Sequence, residues 1–297
     1  QKGDTVYSLR LLPIGGACMM KGEDEAEDSE EGSFNSKSVW ARIAVVAAGP
    51  VFNFILAFVC ALLIIGTAGY TSSEIVSIKE GSPAAEAGLE AGDLIVKAGK
   101  TSITTFSDFQ VFLSLNGGNE FTLVYERDGV KDEVEIAPHL DDDGVYRIGI
   151  TGGKTYKPGF IGTITASFHE VSANITTVVK SIEMMIAGRV SRDQVTGPVG
   201  IFSIIGESYS EAAQYGAFEV FITLADLILL LSSNLGVMNL LPIPALDGGR
   251  LVFLIIEAIR GKPISRDKEG LVNTIGFVAL MVLMALIFLN DMTKLIR

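Results

Sequence analysis

Three long apolar stretches dominate the pattern of hydrophobic and polar positions along this chain. Residues 43–69 and 271–290 carry no charged side chain, and residues 220–241 carry only one, Asp226. About twenty apolar residues are enough to cross the roughly 30 Å hydrocarbon core of a bilayer. The pattern therefore predicts three membrane spans, in preference to three buried helices of a soluble protein.

Between the first two stretches, polar and apolar positions alternate. Segments such as EIVSI, FTLVYERDG and KDEVEIAP, all within residues 74–139, follow the period of half-buried strands, and RDG is a hairpin turn signal. SPAAEAGL and TFSDFQVFLSLN are typical of helices that begin at a Ser or Thr cap. The pattern predicts a polytopic α-helical membrane protein with a small soluble α+β domain inserted between two spans.

Residues 156–189 place apolar side chains at helical spacing. This spacing predicts an amphipathic helix that lies on a surface or in the membrane interface. GPVGIF, at 197–202, supplies helix breakers that are predicted to end it. The predicted division is a membrane-associated or cytoplasmic loop at 1–37, a span at 38–70, the α+β domain at 74–139, a linker with amphipathic or interfacial helices at 140–215, a span at 218–260 and a last span at 270–290.

Composition supports a membrane protein and restricts its partners. Hydrophobic residues make up 48% of the chain, and the mean hydropathy is +0.42. The net charge of −12 argues against nucleic acid as a partner, because phosphates repel an acidic surface. Seven acids fall in EDEAEDSEE, residues 23–31, which predicts a solvated loop. Cys18 and Cys60 have no zinc-finger spacing and indicate no disulfide framework.

The basic residues predict the orientation of the spans. Lys and Arg concentrate in the loops on the cytoplasmic side of a membrane. The loop after the second span is rich in them, and three more precede the first span. Both loops are therefore predicted to be cytoplasmic, with the inserted domain and the C-terminus outside, although two basic residues near the C-terminus weigh weakly against its placement. The residues concerned are Arg250, Arg260, Lys262, Arg266 and Lys268; Lys21, Lys37 and Arg42; and Lys294 and Arg297.

The stretch GVMNLLPIPALDGGR, residues 236–250, combines broken backbone with a carboxylate at the end of an apolar run. Pro242 and Pro244 interrupt the helix and predict an extended segment. Such backbone is tolerated at membrane depth only where it is covered by protein or lines a cavity. Asp247 is therefore a candidate functional residue. Its chemistry alone leaves three roles open: a metal ligand, the partner of a cation, or the cap of a helix that begins near Gly249.

NLLPIPALDGG is similar to the N-x-x-P-x-P-x-L-D-G motif of the site-2 protease family. These proteins are intramembrane zinc metalloproteases, and they include bacterial regulators that cleave anti-sigma factors. Four other segments resemble the family in the same order, so the resemblance covers nearly the whole chain. They are LLPIGGACMMKGEDE at 11–25, SVWARIAVVAAGPVFNFILA at 38–57, the PDZ-like GSPAAEAGLEAGDLIVKAGKTSI at 81–103 and TGPVGIF at 196–202.

The resemblance implies roles for residues of this chain. Asp247 would be the third ligand of a His2Asp zinc site, which leaves a fourth position for water. Asn239 would bind the substrate backbone or the developing oxyanion. Pro242 and Pro244 would keep the adjoining segment from continuing as helix, so that the substrate can pair along its edge.

Two further residues have a structural role in the resemblance. Gly49 and Asn53 would pack their span closely against the catalytic core, and plain helix packing without chemistry is the alternative. Asp226 has no place in the motif; its carboxylate is expected to face a polar cavity or another helix.

The sequence departs from the family in one respect. The family's His-Glu-x-x-His places two imidazoles on one helix face, with the Glu as general base. Here the histidines are His139 and His169, and the HEVSA segment has Ala173 where the second His would stand. Both are expected to be ordinary polar residues. We therefore expect the chain to be incomplete and inactive by itself, with natural loss of the motif in a pseudo-protease as the less favoured explanation.

The resulting hypothesis is a zinc endopeptidase, with Zn²⁺ as cofactor, in the bacterial cytoplasmic membrane. Its substrate would be a single-span membrane protein that another protease has already shortened. The PDZ domain would act as a size filter or bind a new peptide C-terminus, with YRIGI at 146–150 as its carboxylate-binding loop. The alternative is a non-catalytic membrane scaffold that binds peptide C-termini through the same domain.

Overall fold

The structure, a computed structural model, describes residues 33–141, 144–188 and 195–296. Most of the predicted loop at 1–37, with its acidic run, Cys18 and Lys21, lies outside these residues. Within these residues, eight α-helices follow a short 3-10 turn at Phe34–Ser36. They are α1 Val39–Thr67, α2 Pro83–Glu86, α3 Phe106–Asn116, α4 Phe160–Ile186, α5 Pro198–Tyr215, α6 Ala217–Leu240, α7 Asp247–Arg260 and α8 Arg266–Ile296.

The three predicted spans correspond to helices that are long and apolar enough to cross a membrane: α1, α6 and most of α8. The predicted span at 218–260 was wrong in one respect, because it is two helices rather than one. Helix α6 ends at Leu240 and α7 begins at Asp247. The two prolines between them deprive the helix of backbone donors, so the break falls where they stand.

Helix α1 is the centre of the helical region, and α4, α6 and α7 all pack against it. Small residues make these close contacts possible, since Ala57 and Ala61 of α1 are fully buried against Leu229 of α6. Nearer the other end of α1, the ring of Phe54 lies so close to Gly236 that a Cβ there would be 2.5 Å from it. Helices α1 and α6 therefore run antiparallel. At Gly236, α6 has no side chain, and this allows the close approach.

The described residues of the inserted domain form ten short strands and two helices. The strands are β1 Tyr70–Thr71, β2 Ile75–Ile78, β3 Leu94–Ala98, β4 Thr101–Ser102, β5 Phe121–Arg127, β6 Val130–Ile136, β7 His139–Leu140, β8 Tyr146–Arg147, β9 Ile150–Gly152 and β10 Thr155–Tyr156. Four of them form an antiparallel sheet in the order β4-β3-β5-β6, and β2 pairs with β9. Helix α3 contributes Phe109 and Leu113 to the core beside this sheet.

The inserted domain extends beyond the predicted boundaries of 74–139. Ile148 is buried in the same core as Ile75 and Phe109, and β9 supplies the strand that pairs with β2. The pairing of β1 with β10 then closes the domain at a two-stranded neck next to α1 and α4. A polar–apolar alternation marks strands but does not show which distant strand completes the core, so the sequence placed the end of the domain too early.

Helices α4 and α5 occupy the region that was predicted as linker and interfacial helices. The predicted helix at 156–189 is α4, but GPVGIF is mainly the start of another helix rather than an end. Gly197 is its N-cap and Pro198 its first residue, a position that needs no backbone donor. The Asp291 carboxylate of α8 accepts hydrogen bonds from the backbone N–H groups of Gly197 and Gly200, both at 3.0 Å. A remote side chain therefore caps α5.

Candidate metal centre

The segment that joins α6 to α7 folds into two tight turns. After the extended residue Leu241, the N–H of Ile243 donates to the carbonyl of Leu241 at 2.7 Å, and the N–H of Leu246 donates to that of Ile243 at 3.2 Å. The predicted extended edge around Pro242 and Pro244 is therefore replaced by a compact turn. These local bonds satisfy the backbone donors that an extended segment would have to offer to a partner strand.

The second turn contains a strained residue. Ala245 has φ of 73°, the left-handed region that a type II turn requires after a proline and that glycine usually fills. Such a conformation costs a residue other than glycine about 1 kcal/mol or more. The Ala245 N–H donates to Oδ1 of Asn273 on α8 at 3.3 Å, which holds the turn from the other side.

Three glycines allow neighbouring backbone to close around this turn. A Cβ on Gly248 would lie 2.1 Å from the carbonyl oxygen of Leu241, and one on Gly249 would lie 2.4 Å from that of Ile243. A Cβ on Gly276 of α8 would lie 2.5 Å from the ring of Pro244. The first turn of α7 thus rests directly on the end of α6, and this contact explains why two glycines follow Asp247.

Asp247 is the first residue of α7 and is half-buried. Leu246 is the N-cap and makes no side-chain cap bond, so the expectation that Asp247 caps a helix beginning near Gly249 is wrong by two residues. In the first turn, the carboxylate is favoured by the positive end of the helix dipole. Helix α1 passes close by, since a Cβ on Gly49 would be 3.3 Å from Oδ2 of Asp247.

The structure brings together most of the predicted site residues. Gly49 contacts Asp247 directly, and Asn53 is half-buried one turn further along α1. Asn239 lies in the last turn of α6, against which the α7 glycines pack. Among the described ranges, no group of three or more His, Cys, Asp or Glu side chains is arranged to hold a metal. At the α6–α7 turn, the carboxylate that could hold a metal is that of Asp247.

The remaining candidates lie elsewhere. His139 is in the inserted domain, 3.7 Å from a carboxylate oxygen of Asp141. His169 is on α4, where it contacts Asp108 of α3. Asp226 is on α6, the helix that packs against both α1 and α4. None of these three side chains is part of the α6–α7 turn.

One contact near the site was missed by the sequence reasoning. The Arg42 guanidinium of α1 forms a two-pronged ion pair with Glu257 of α7, one bond of which measures 3.2 Å. Beside it, Arg250 lies over the ring of Phe34, 4.9 Å from its centroid. Because bidentate pairs fix the orientation of both partners, this contact sets α7, and with it Asp247, relative to α1. The pair is separated by 215 residues, so the sequence carries no local signal of it.

Comparison with known proteins gives a consistent result along the chain. The pattern of peptidase family M50 matches residues 1–283. A zinc-metalloprotease homologue from Clostridium acetobutylicum is 38% identical over 289 residues, which is 97% of this chain and 83% of that protein. The regulator of sigma-W protease RasP from Bacillus subtilis is 35% identical over 268 residues, or 88% of this chain, which spans 61% of its length. The crystal structure of a PDZ domain from an SdrC-like protein of Listeria monocytogenes is similar to 28% of the chain, at 26% identity and a TM-score of 0.26.

Proposed function

This chain belongs to peptidase family M50, the site-2 proteases, and is a zinc metalloprotease; from that premise we propose that Asp247 is one of its zinc ligands. The observation that carries the proposal is the position of the Asp247 carboxylate. It lies at the start of α7 and is held against Gly49, a residue with no side chain to stand between the carboxylate and a metal. Catalytic zinc sites use three protein ligands and keep one position for water.

Each residue of the turn has a part in this proposal. A bound zinc ion would supply an activated water and polarise the peptide carbonyl. Asp247 would hold the metal with one carboxylate oxygen. Asn239, in the last turn of α6, would bind the substrate backbone or the developing oxyanion. Pro242 and Pro244 would keep α6 from continuing and leave the turn beside the substrate.

Gly49 and Asn53 would let α1 approach the turn closely enough to position Asp247. The contact between Gly49 and the carboxylate supports this role for Gly49. In the family pattern, two histidines of His-Glu-x-x-His complete the ligand set, and neither His139 nor His169 stands in that pattern.

We propose that the substrate is a single-span membrane protein, such as an anti-sigma factor, already shortened by another protease and cleaved within the bilayer. Three membrane-capable helices and bacterial relatives, one of them named a regulator of sigma-W protease, support a place in the bacterial cytoplasmic membrane. The basic residues around α7 support a cytoplasmic position for that end of the helices, with the inserted domain outside. The inserted domain, as a PDZ domain, would select shortened substrates or bind their C-termini beside residues 146–150.

The test fuses the chain behind an apolar helix that carries His-Glu-x-x-His. We expect one zinc ion per protein and cleavage of a single-span substrate in detergent, and Asp247→Asn should nearly abolish cleavage and weaken zinc binding because a neutral amide is a poor ligand. Asp226→Asn is the matched control, since it neutralises another carboxylate of the same region outside the turn. Full cleavage with Asp247→Asn would disprove the ligand role, and a fusion that binds peptide but no zinc would favour the non-catalytic membrane scaffold.

A further inference from the structure

Strand β9 has an edge that a further strand can join. It pairs antiparallel with β2 on one side, and no strand in the described residues pairs with the other side. Extended peptides bind such edges through main-chain hydrogen bonds, at a spacing of about 4.8 Å from the receiving strand. Helix α3 contacts the neighbouring strand β8. A peptide that joins β9 must therefore fit between the strand and α3.

Two aromatic rings close the space between α3 and the β8–β9 segment. At one end, the ring of Phe106 on α3 lies so close to Gly152 of β9 that a Cβ there would be 2.1 Å from it. At the other end, the ring of Tyr146 on β8 would be 2.3 Å from a Cβ on Gly118, just after α3. Because each ring packs directly on a glycine backbone, a peptide of full width requires α3 to move away from β9.

The same turn of α3 also attaches the inserted domain to α4. Oδ2 of Asp108 accepts hydrogen bonds from the N–H groups of Thr104 and Thr105, which form the cap of α3. That oxygen lies 3.1 Å from Nε2 of His169 on α4. Lys180 of α4 donates to the Thr101 hydroxyl at 3.2 Å. Between these two contacts lies a cleft of about 320 Å³, so the interface depends on polar contacts rather than on a packed core.

Around His169, α4 also contacts two of the membrane-capable helices. The ring of Phe168 stacks on Phe58 of α1, with centroids 4.3 Å apart. Helix α4 packs against α6 as well. The part of α4 that holds α3 therefore also contacts α1, the helix that carries Gly49.

We infer that α3 is a closed cover over the peptide-binding edge of β9, and that opening it for a peptide breaks the Asp108–His169 contact and releases the inserted domain from α4. The inference rests on the peptide binding proposed above and adds its regulation. Peptide binding and attachment to α4 then oppose each other, so weakening either closing contact raises the affinity for peptide. Conversely, a bound peptide loosens the domain from α4 by the same factor, as linkage requires.

The first test measures binding of a fluorescent peptide with a free, apolar C-terminal residue to the full chain in detergent. Phe106→Ala and His169→Ala are both expected to tighten binding by up to about fivefold, because each removes part of the energy that keeps the cover closed. His139→Ala is the matched control for His169→Ala, because His139 contacts Asp141 within the domain and its loss should not tighten binding. Equal affinities for wild type, Phe106→Ala and His169→Ala would overturn the coupling.

The second test does not depend on peptide binding. Spin labels at Ser114→Cys on α3 and Thr165→Cys on α4, both exposed positions, report the separation of the two helices after Cys18 and Cys60 have been replaced by alanine. One narrow distance distribution is expected for the parent and a broad, longer one for His169→Ala. An unchanged distribution in His169→Ala would overturn the attachment through His169. If no variant binds peptide while His169→Ala broadens the distribution, the proposed peptide binding fails and the attachment to α4 stands.

Discussion

The α6–α7 turn and the α3–α4 interface are held together in opposite ways. At the turn, backbone rests on backbone, because Gly248, Gly249 and Gly276 leave no side chain between the segments. At the interface, two polar contacts lie on either side of a cleft. Close-packed backbone has few ways to adjust, whereas a contact between two polar side chains breaks at a cost of about 1 kcal/mol or less. The proposed metal ligand therefore lies in the rigid region, and the inserted domain is attached to α4 through the weaker one.

The largest effect is expected on the folding of the isolated inserted domain. It shows whether the domain is stabilised by its own core or by α4. Residues 70–156 expressed alone should fold and give a well-dispersed amide NMR spectrum. Residues 74–139 should not, because they lack the fully buried Ile148 and the strand that pairs with β2. Loss of one such side chain alone costs about 2–5 kcal/mol. A stable, dispersed spectrum from 74–139 would contradict the extended boundary.

The next effect tests the rigidity of the turn. Gly248→Ala should lower the stability of the full chain by about 1–3 kcal/mol, because its Cβ would overlap the Leu241 carbonyl oxygen. Denaturant unfolding in detergent measures the change. Gly206→Ala on α5 is the control, since a Cβ there meets nothing within 4 Å, and alanine should be neutral or slightly stabilising in a helix. Equal stability for both variants would show that the turn is not close-packed.

A smaller effect concerns the pH dependence of the interface. The hydrogen bond to Asp108 raises the pKa of His169, and the nearby charges of Asp108 and Glu170 add to this, against the opposing effect of burial. Burial would raise the pKa of Asp108, but hydrogen bonds from His169, Thr105 and Thr104 lower it overall. The His169–Asp108 contact therefore stabilises the interface fully at pH values below 6.5, the ordinary pKa of histidine. This stabilisation is lost as the pH rises through the raised pKa of His169.

On the acid side, ionised Asp108 stabilises the interface fully at pH values above 3.8, the ordinary pKa of aspartate. This stabilisation is lost as the pH falls through the lowered pKa of Asp108. The α3–α4 interface should be most stable between these two pKa values. The gain in its stability should be about 1 kcal/mol or less, because His169 is partly exposed. The spin-label distance measured across pH tests this, with His169→Ala as the variant that should show no dependence above neutral pH. A wild-type distance that is independent of pH would count against the ion pair.

The smallest effect is expected at Ala245. Glycine adopts a positive φ without penalty, so Ala245→Gly should relieve the strain of the turn and offset the extra flexibility of the unfolded chain. The net gain should be below about 1 kcal/mol. A clear loss of stability would mean that the alanine methyl group makes contacts that outweigh the strain.

The features that the sequence predicted depend on local pattern. The spans follow from apolar length and the break between α6 and α7 from two prolines, so both could be predicted from the residues themselves. The contribution of Ile148 to the core, the pairing of β9 with β2 and the ion pair of Arg42 with Glu257 join residues far apart in the chain. Periodicity gives no information on such pairings.

The candidate site was predicted in part for the same reason. Chemistry alone left three roles for Asp247, and the family resemblance selected the metal ligand. The contact of Asp247 with Gly49 and the packing of Gly248 and Gly249 on the end of α6 depend on how three helices meet. The two prolines indicated that the helix ends, but not that the segment then closes into hydrogen-bonded turns.

The most direct test of the account is zinc X-ray absorption spectroscopy on the chain fused behind a helix with His-Glu-x-x-His. With Asp247 as a ligand, the spectrum should contain a carboxylate oxygen at about 2.0–2.2 Å from zinc together with imidazole nitrogens. Asp247→Asn should weaken zinc binding and lose that carboxylate contribution, while Asp226→Asn should keep both. An Asp247→Asn protein with unchanged zinc content and an unchanged spectrum would contradict the claim that the α6–α7 turn supplies a ligand.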